Sequence, residues 1–445
     1  MNALDIRTRQ ENLLYNPNLL IEVLVVFCIM CRLGFPGNLA IVFGGEPVRS
    51  AIDYGASLVQ LLVMLMSSGD TLMDIKLIDL KRKYVPVYLM LAFMFVMSML
   101  VAWDRGKQLT IILRFSVTAL FGLWLADRFD SEHLLELVYF AQLGIIASNF
   151  LCFTVFRNAG YHIDEGYGYI FRGLYAQKNG LGSEFAWGIL LQIELLRVKR
   201  RRGHPLFRFF WGALGAQVFF LLISRSTTAL FCCGAALAYL ILYDRRGENA
   251  HRYQWGILYT AVSIGFLFMA LTIMPLFAPL LEAIGKDATL TGRVPMWRGI
   301  IDFLQEHNTF TGFGLLQFWE TPPALKDLHS YFPRDSWFRS MEYGAHSVLL
   351  ETWLDLGLFG LSSYYITLIH CFRRVKKLTS EQYSLCSVIM ILTLIGGLTD
   401  RIFSNVNYNS MFFFVMLGVA CGWPRPEPER SRHRRENMIA EEQSA

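Results

Sequence analysis

The chain has 445 residues, of which 54% are hydrophobic and only 17% are charged, and its formal net charge is +5 at pH 7. This composition excludes a soluble multidomain protein of the same length, and we expect no nucleic-acid partner. The apolar residues form blocks of about 16 to 25, which suits helices that cross about 30 Å of hydrocarbon, whereas the strands of a closed barrel would alternate in polarity. The sequence therefore predicts an all-α polytopic membrane protein.

About twelve membrane-spanning helices are predicted along the chain. The first block is short and carries Glu22 and Arg32, and residues 35–43 fit a re-entrant or interfacial segment. If this block did not span the membrane, the predicted orientation of every later span would be inverted. The predicted spans lie near residues 18–33, 51–68, 86–103, 108–126, 134–156, 180–197, 206–223, 226–243, 256–280, 346–370, 384–399 and 408–423.

The distribution of basic residues predicts the orientation, because short loops rich in Lys and Arg stay in the cytoplasm. Both termini are then cytoplasmic in a bacterial inner membrane, and a large loop at residues 281–345, between spans nine and ten, faces the periplasm. Residues 1–423 form one integral membrane domain, and residues 424–445 form a disordered cytoplasmic tail rich in Pro, Arg and Glu. The basic runs lie at residues 81–83, 199–202, 245–246, 373–377 and 430–435.

Several common catalytic motifs are missing from the sequence. It contains no Walker loop, no dinucleotide-binding glycine pattern and no His-Glu-x-x-His, so we expect no cofactor. The eight cysteines lie in or beside the predicted spans, which argues against disulfides and against a zinc site. Any chemistry must therefore use an already activated substrate. The absence of matching interrupted helices in two halves also disfavours an inverted-repeat transporter.

Two polar segments introduce cationic side chains at the predicted periplasmic ends of spans. Gly173–Gly182 follows Arg172, contains Lys178, and has the Gly and Asn residues of a tight turn into a helix N-terminus, where anions bind. Ser224–Thr228 forms the whole connection between spans seven and eight. Its Arg225 needs an anion, a backbone carbonyl or lipid headgroups at this depth.

A third segment begins at Arg293. The following apolar residues share one helical face, which predicts a helix lying flat on the membrane surface with Arg293 at its entry. The turn and aromatic residues at 312–319 suit either a sugar-stacking surface or an interfacial aromatic belt. The apolar face consists of Trp297, Ile300, Ile301 and Leu304.

The fourth segment, at residues 345–347, contains His346 where the tenth span begins. A neutral imidazole can take a proton from a hydroxyl, although a single histidine at a membrane boundary is more often structural. Its interest comes from the arginines on the same side, because arginine holds phosphate through a planar fork. Together these residues fit a diphosphate leaving group and a hydroxyl acceptor.

Two acidic residues follow within the tenth span. Glu351 and Asp355 share a helical face and either line a polar acceptor channel or pair with Arg114 of the fourth span. We prefer the pairing, because Asp355 would lie about 13 Å along the helix from His346. Residues 400–401, Asp-Arg, fit either a local ion pair or the periplasmic rim.

Taken in chain order, these segments resemble the O-antigen ligase and O-antigen polymerase superfamily of membrane glycosyltransferases. The resemblance covers about half of the chain, from Gly173 to Gly360. The matching motifs are Lys178-Asn179-Gly-Leu-Gly, the Ser-x-Ser-Thr-Thr-Ala-Leu run from Ser224 to Leu230, Thr-Gly-Arg293 followed by Trp297, and His346-Ser347 followed after nine residues by Gly357-Leu-Phe-Gly360. The family often has His or Pro where Gln177 stands.

The resemblance implies a GT-C-like fold and an inverting, metal-independent transfer from an undecaprenyl-diphosphate-linked oligosaccharide donor to a hydroxyl of a glycan acceptor. It implies that His346 is the candidate base and that Arg225 and Arg293 are the candidate diphosphate-binding residues, with Arg172 and Lys178 as secondary candidates. Beyond the lipid bilayer, the partners it implies are a polysaccharide co-polymerase or export proteins. Two arginines would stabilise the charge that develops on the leaving diphosphate.

Within this superfamily, residues 312–319 and the Ser-Thr-Thr-Ala-Leu run are most similar to exopolysaccharide polymerases of the succinoglycan type, whereas the histidine motif is shared with ligases. The sequence therefore predicts polymerisation of lipid-linked repeat units into an exopolysaccharide. Ligation of the glycan to lipid A-core is the alternative within the superfamily. A transporter or flippase of lipid-linked sugars, and a scaffold of an export complex, are alternatives from other classes.

Overall fold

The computed structural model describes residues 17–35, 46–66, 82–164, 168–175, 177–201, 210–246, 255–273, 276, 293–332, 344–398 and 406–421. Several predicted features lie outside the described residues: parts of the predicted periplasmic loop at 281–292 and 333–343, the Asp-Arg pair at 400–401, and the tail from residue 424.

The described chain is almost entirely helical. The helices are α1 (Pro17–Arg32), α2 (Glu46–Met66), α3 (Val85–Val101), α4 (Arg105–Arg128), α5 (Ser131–Thr154), α6 (Lys178–Arg201), α7 (Phe210–Ile223), α8 (Thr227–Arg246), α9 (Trp255–Thr272), α10 (Arg293–Glu306), α11 (Pro322–Leu328), α12 (Val348–Cys371), α13 (Ser380–Gly397) and α14 (Tyr408–Cys421). Single turns lie at Arg82–Tyr84, Arg157–Gly160, Phe318–Glu320 and His329–Tyr331, and a longer 3-10 segment at Phe372–Lys377.

These helices confirm the predicted all-α class, with one small exception. Strands β1 (Tyr161–Asp164) and β2 (Gly168–Phe171) form an antiparallel hairpin in the connection between α5 and α6. By length and composition, three described helices could cross a membrane, namely α4, α5 and α9, and shorter apolar stretches lie in α2, α3, α7, α8 and α14. The number of crossings and the side on which each loop lies stay predictions.

Helix α13 shows which helix ends lie together. Near its start, Ser384 accepts a hydrogen bond of 3.1 Å from Arg197, close to the end of α6. In the next turn, Ser387 accepts a 2.9 Å bond from the indole of Trp255, the first residue of α9. The start of α13 therefore lies beside the end of α6 and the start of α9. The opposite end of the bundle must carry the start of α6 and the ends of α9 and α13.

That opposite end also carries the start of α12. A Cβ added to Gly397, the last residue of α13, would lie 3.0 Å from Cγ1 of Val348, the first residue of α12. Helix α8 begins there too, because Ser226 just before it bonds Asn179 in the first turn of α6. We call this the site end of the bundle, since all four motif segments lie at the helix ends gathered here.

The apolar residues form two clusters. The larger cluster lies within the bundle. The smaller one joins α10, α11 and the segment before α11 to α9 and α12, and it contains Trp297, Phe303 and Phe318. The prediction that α10 lies flat on the membrane surface through its apolar face is wrong, because protein covers that face: Trp297, Ile300 and Leu304 are fully buried and Ile301 is half-buried. An amphipathic pattern shows that a face avoids water, but it does not show what covers that face.

Candidate functional site

The first two motif segments are joined at the site end. Helix α6 begins at Lys178, two residues before the predicted span at 180–197. The next residue, Asn179, accepts a 3.1 Å hydrogen bond from the hydroxyl of Ser226. A Cβ at Gly182 would lie 2.6 Å from Cβ of Ser226 and 2.8 Å from Oγ of Ser224, so only glycine allows α6 to approach this turn so closely. The lysine segment and the arginine turn therefore form one unit.

Arg225 projects outward from that turn. Ser224 and Ser226 on either side are buried, whereas Arg225 is exposed. The turn is held by two bonds of Ser224, whose hydroxyl donates to the carbonyl of Leu221 at 2.6 Å and accepts from the backbone N–H of Ser226 at 3.2 Å. Arg225 itself has a φ of 52°, an unusual conformation that this local network holds in place. None of the ion pairs among the described residues involves Arg225, whose side chain is exposed at the site end.

The β-hairpin places Arg172 in the same region. The backbone N–H of Arg172 donates to the carbonyl of Gly160 at 2.8 Å, which closes the base of the hairpin. Its side chain is half-buried, and Nε donates to the carbonyl of Ala159 at 3.5 Å. Gly173 follows with a φ of 58°, and a Cβ there would lie 2.0 Å from the side-chain oxygen of Asn149. The backbone N–H and the Nε of Arg172 are therefore already engaged in hydrogen bonds at the base of the hairpin.

Tyr175 ties this connection to the end of α1. Its hydroxyl donates to the carbonyl of Leu33 at 2.7 Å. Burial, together with the nearby carboxyl of Glu184, raises the pKa of Tyr175 well above its usual value. The hydroxyl therefore stays protonated and acts as a permanent donor. The end of α1 is thus held next to the start of α6.

The third and fourth segments are joined through Ala345. The indole nitrogen of Trp297 donates to the carbonyl of Ala345 at 2.8 Å. The carboxylate of Glu351 accepts the backbone N–H of Ala345 at 2.6 Å through Oε2, and through Oε1 it accepts the indole N–H of Trp319 at 2.8 Å. All four residues are buried. Both backbone polar groups of Ala345 are therefore held by side chains from other parts of the chain.

His346 follows directly from this clamp. It is half-buried and has a φ of 48°, and Ser347 after it is the buried, extended residue that precedes α12. The left-handed backbone at a non-glycine residue is tolerated because its neighbours are so firmly held. Arg293 is the first residue of α10, one turn before Trp297. The clamp thus brings the segments of Arg293 and His346 together, as the sequence predicts.

The two glycine motifs noted in the sequence also meet. Gly357 interrupts α12 with a φ of 66° and a ψ of −173°. A Cβ there would lie 2.2 Å from the carbonyl carbon of Phe310, and a Cβ on Gly312 would lie 2.5 Å from the nitrogen of Gly357. Neither chain segment could approach the other with larger residues. The Gly312-Phe-Gly314 turn and the Gly357-Leu-Phe-Gly360 motif are therefore one structural unit.

Backbone hydrogen bonds from this unit replace those lost at the break in α12. The N–H groups of Leu358 and Phe359 donate to the carbonyls of Thr309 and Phe310, at 2.9 and 3.2 Å. In return, residues 313 and 314 donate to the carbonyls of residues 354 and 355, at 3.0 and 2.8 Å. The buried backbone groups at the break are thus satisfied by the crossing segment.

Two expectations for the residues around this unit were wrong. Phe318 and Trp319 are buried, so they form neither a sugar-stacking surface nor an exposed aromatic belt. Arg114 does not pair with the acidic residues of α12. Its Nη2 lies 3.5 Å from a carboxylate oxygen of Asp53, and its guanidinium lies 4.7 Å from the ring centroid of Tyr54. Glu351 instead binds Trp319 and Ala345.

Sequence reasoning missed the positioning role of Glu351. The available signal was a carboxylate inside an apolar span, five residues after the candidate base. Such a group must find donors nearby, because an unpaired charge is costly in that environment. Its donors are the backbone N–H of Ala345 and the indole N–H of Trp319, and no local pattern reveals the approach of Trp319 to Glu351.

Comparison with known proteins gives two matches. Residues 211–365 match the O-antigen ligase family. This range includes Arg225, Arg293 and His346 but not Arg172 or Lys178. The chain is also 26% identical over 235 residues to the exopolysaccharide production protein ExoQ of Rhizobium meliloti (strain 1021). That alignment covers 50% of this chain and 51% of the relative, so it spans about half the length of each protein. Both matches agree with the resemblance that the motifs indicate.

Proposed function

Because the chain carries a domain of the O-antigen ligase and O-antigen polymerase superfamily, we propose that it polymerises undecaprenyl-diphosphate-linked oligosaccharide repeat units into an exopolysaccharide. The observation that carries the proposal is the bond from Trp297 to Ala345. This bond joins the segment that begins with Arg293 to the segment that carries His346. Transfer from a diphosphate donor needs a cation to stabilise the leaving group and a base to activate the acceptor, and these two residues are the candidates for those roles.

In the proposed reaction, the imidazole of His346 takes the proton of the acceptor hydroxyl as that oxygen bonds the anomeric carbon of the donor sugar. The bond from this carbon to the diphosphate breaks, and the electron pair leaves with the lipid diphosphate. Arg225 and Arg293 stabilise the negative charge that develops there, with Arg172 and Lys178 in supporting positions. Cationic side chains then supply the charge stabilisation, so the transfer proceeds without a metal ion.

The proposed setting is the bacterial inner membrane, with residues 1–423 as a GT-C-like integral domain of about twelve spans. Both termini lie in the cytoplasm in this proposal, and the site end faces the periplasm together with the loop at 281–345. A donor anchored in the outer leaflet and a glycan acceptor would meet at the site end. A polysaccharide co-polymerase or export proteins would act on the product.

Ligation to lipid A-core is the second candidate, and the O-antigen ligase description of the matched family favours it. The two reactions share a donor and differ only in the acceptor. A transporter or flippase of lipid-linked sugars is the third candidate, in which the same cationic residues would bind headgroups without chemistry.

The deciding experiment compares the glycans of a deletion strain complemented with wild-type protein, His346→Ala or His370→Ala. The control residue, His370, lies exposed near the opposite end of the same helix. A polymerase predicts that single lipid-linked repeat units accumulate and long polymer disappears only in His346→Ala. Long lipid-linked chains that never reach lipid A-core would indicate a ligase. Fewer chains of normal length would indicate transport, and a normal profile would rule out His346 as the base.

A further inference from the structure

A second cationic cluster lies between α1, α2 and α4, separate from the proposed transfer residues. Arg32, at the end of α1, is only 2% exposed. Its Nη2 donates to the hydroxyl of Ser57 at 2.7 Å and to the side-chain oxygen of Gln60 at 2.8 Å, both on α2. Two further members, Asp53 of α2 and Arg114 of α4, interact electrostatically with Arg32. The cluster therefore connects three helices of the bundle.

The charges of this cluster do not balance. Among the described residues it contains two guanidinium groups and one carboxylate, and that carboxylate, of Asp53, lies 3.5 Å from Nη2 of Arg114. These residues lie within helices predicted to span the membrane, where an uncompensated charge is expensive and marks a functional site. One more anionic group would therefore balance the charge of the cluster.

The hydrogen-bonding groups left over in the cluster are all donors. Within the described residues, Nε and Nη1 of Arg32, Nε2 of Gln60 and Nε of Arg114 are buried and have no hydrogen-bond partner. Buried donors normally find an acceptor, and the missing partner must here supply several oxygen atoms. Phosphate combines the required negative charge with several acceptor oxygens, and arginine forks match its geometry.

We propose that Arg32, Gln60 and Arg114 bind the phosphate group of a membrane lipid. The side chains of Arg114 and Asp53 are 22% and 24% exposed whereas Arg32 is buried, so in this proposal the phosphate reaches Arg32 past Arg114 and Asp53. Leu33, the residue after Arg32, accepts a hydrogen bond from Tyr175 just before α6, so Arg32 lies near the site end of the bundle. The site is distinct from Arg225, Arg293 and His346, and its occupancy does not require transfer to occur.

The test measures binding directly by native mass spectrometry of the delipidated full-length protein in detergent. The probes are phosphatidylglycerol, undecaprenyl phosphate and inorganic phosphate, with diacylglycerol as the uncharged lipid. The variants are Arg32→Gln, Arg114→Gln and Asp53→Asn. The matched control is Arg128→Gln, which removes an exposed arginine from the far end of the same helix α4.

We expect each of the two arginine variants to bind a phosphate-bearing lipid at least about tenfold more weakly than wild type, and Arg128→Gln to bind like wild type. Asp53→Asn should bind more tightly, because it removes the carboxylate that competes with the ligand. A preference between the two phosphate-bearing lipids identifies the natural source. If Arg32→Gln does not fold, the opposite shifts in Arg114→Gln and Asp53→Asn still test the site.

Three results would overturn the proposal. Equal binding by wild type, Arg32→Gln and Arg114→Gln would show that the cluster does not hold the phosphate. Arginine-dependent binding of inorganic phosphate alone would show a site for a soluble anion instead of a lipid. Weaker binding by Asp53→Asn would show that the carboxylate supports the ligand instead of competing with it, which contradicts the charge imbalance from which the site is inferred.

Discussion

The carboxylate of Glu351 accepts the backbone N–H of Ala345 at 2.6 Å, in the residue directly before the candidate base His346. The same carboxylate accepts the indole N–H of Trp319 through its other oxygen. Glu351 is therefore a positioning residue. It fixes the backbone from which the imidazole of His346 projects, and it is not proposed to contact the substrate.

Replacing Glu351 by Gln should lower the transfer rate with little change in affinity for the donor. The two N–H groups are bound by different oxygens of Glu351, and in glutamine one of these positions becomes an NH2 group that faces an N–H donor. We expect kcat to fall about tenfold or more with KM nearly constant, and stability to fall by about 1 to 3 kcal/mol. The measurements are in vitro transfer kinetics and thermal unfolding in detergent. Glu306→Gln, at an exposed carboxylate of α10, is the control. A rise in KM alone would assign Glu351 to substrate binding.

The glycine contact between residues 312 and 357 should be intolerant of even one methyl group. Gly357→Ala and Gly312→Ala each combine a positive φ with a backbone clash, so each should cost about 3 kcal/mol or more. Gly234→Ala is the matched control, because nothing lies within 4 Å of the added Cβ in α8. It should be neutral or stabilising by up to about 1 kcal/mol. Thermal unfolding of the three variants checks this, and equal melting would show that the segments do not depend on the glycines.

The proposed role of Arg293 requires its planar fork as well as its charge. Arg293→Gln should lower kcat by about a hundredfold, and Arg293→Lys should recover only part of that loss. Arg298→Gln, on the same helix with an exposed side chain bonded to a backbone carbonyl, should stay within about threefold of wild type. Steady-state kinetics with a lipid-linked donor provide the test. Full activity in Arg293→Gln would remove it from the diphosphate-binding set.

Transfer by the purified protein should not depend on divalent ions, because arginines supply the charge stabilisation in the proposed mechanism. Adding EDTA to a detergent assay should leave the rate unchanged. Loss of activity that Mg²⁺ or Mn²⁺ restores would contradict the metal-independent mechanism.

The predicted orientation can be tested with a single cysteine at an exposed residue. In Ser330→Cys, a membrane-impermeant maleimide should react in cells whose outer membrane alone is permeable. The eight native cysteines are buried, so the background from them should be small. Modification only after the inner membrane is breached would invert the topology and move the site end to the cytoplasm.

The positions of the helices and of the site motifs could be predicted from the sequence, because the length of an apolar block and the order of motifs are local properties. A few neighbouring residues were enough to predict the start of α6 to within two residues, the short turn of Arg225, and the place of His346 just before α12. The resemblance to the O-antigen ligase and polymerase superfamily also follows from motif order, and residues 211–365 match the O-antigen ligase family.

Only the tertiary structure decided which partners these residues meet. Periodicity indicated that one face of α10 avoids water, but the fold covers it with protein instead of lipid. The sequence predicted that Glu351 and Arg114 lie in spans but not which residues they contact. In the fold, Glu351 accepts hydrogen bonds from Ala345 and Trp319, and Arg114 pairs with Asp53. A buried polar group pairs with whichever donor or acceptor the packing brings within about 3 Å, and that distance depends on segments far apart in the chain.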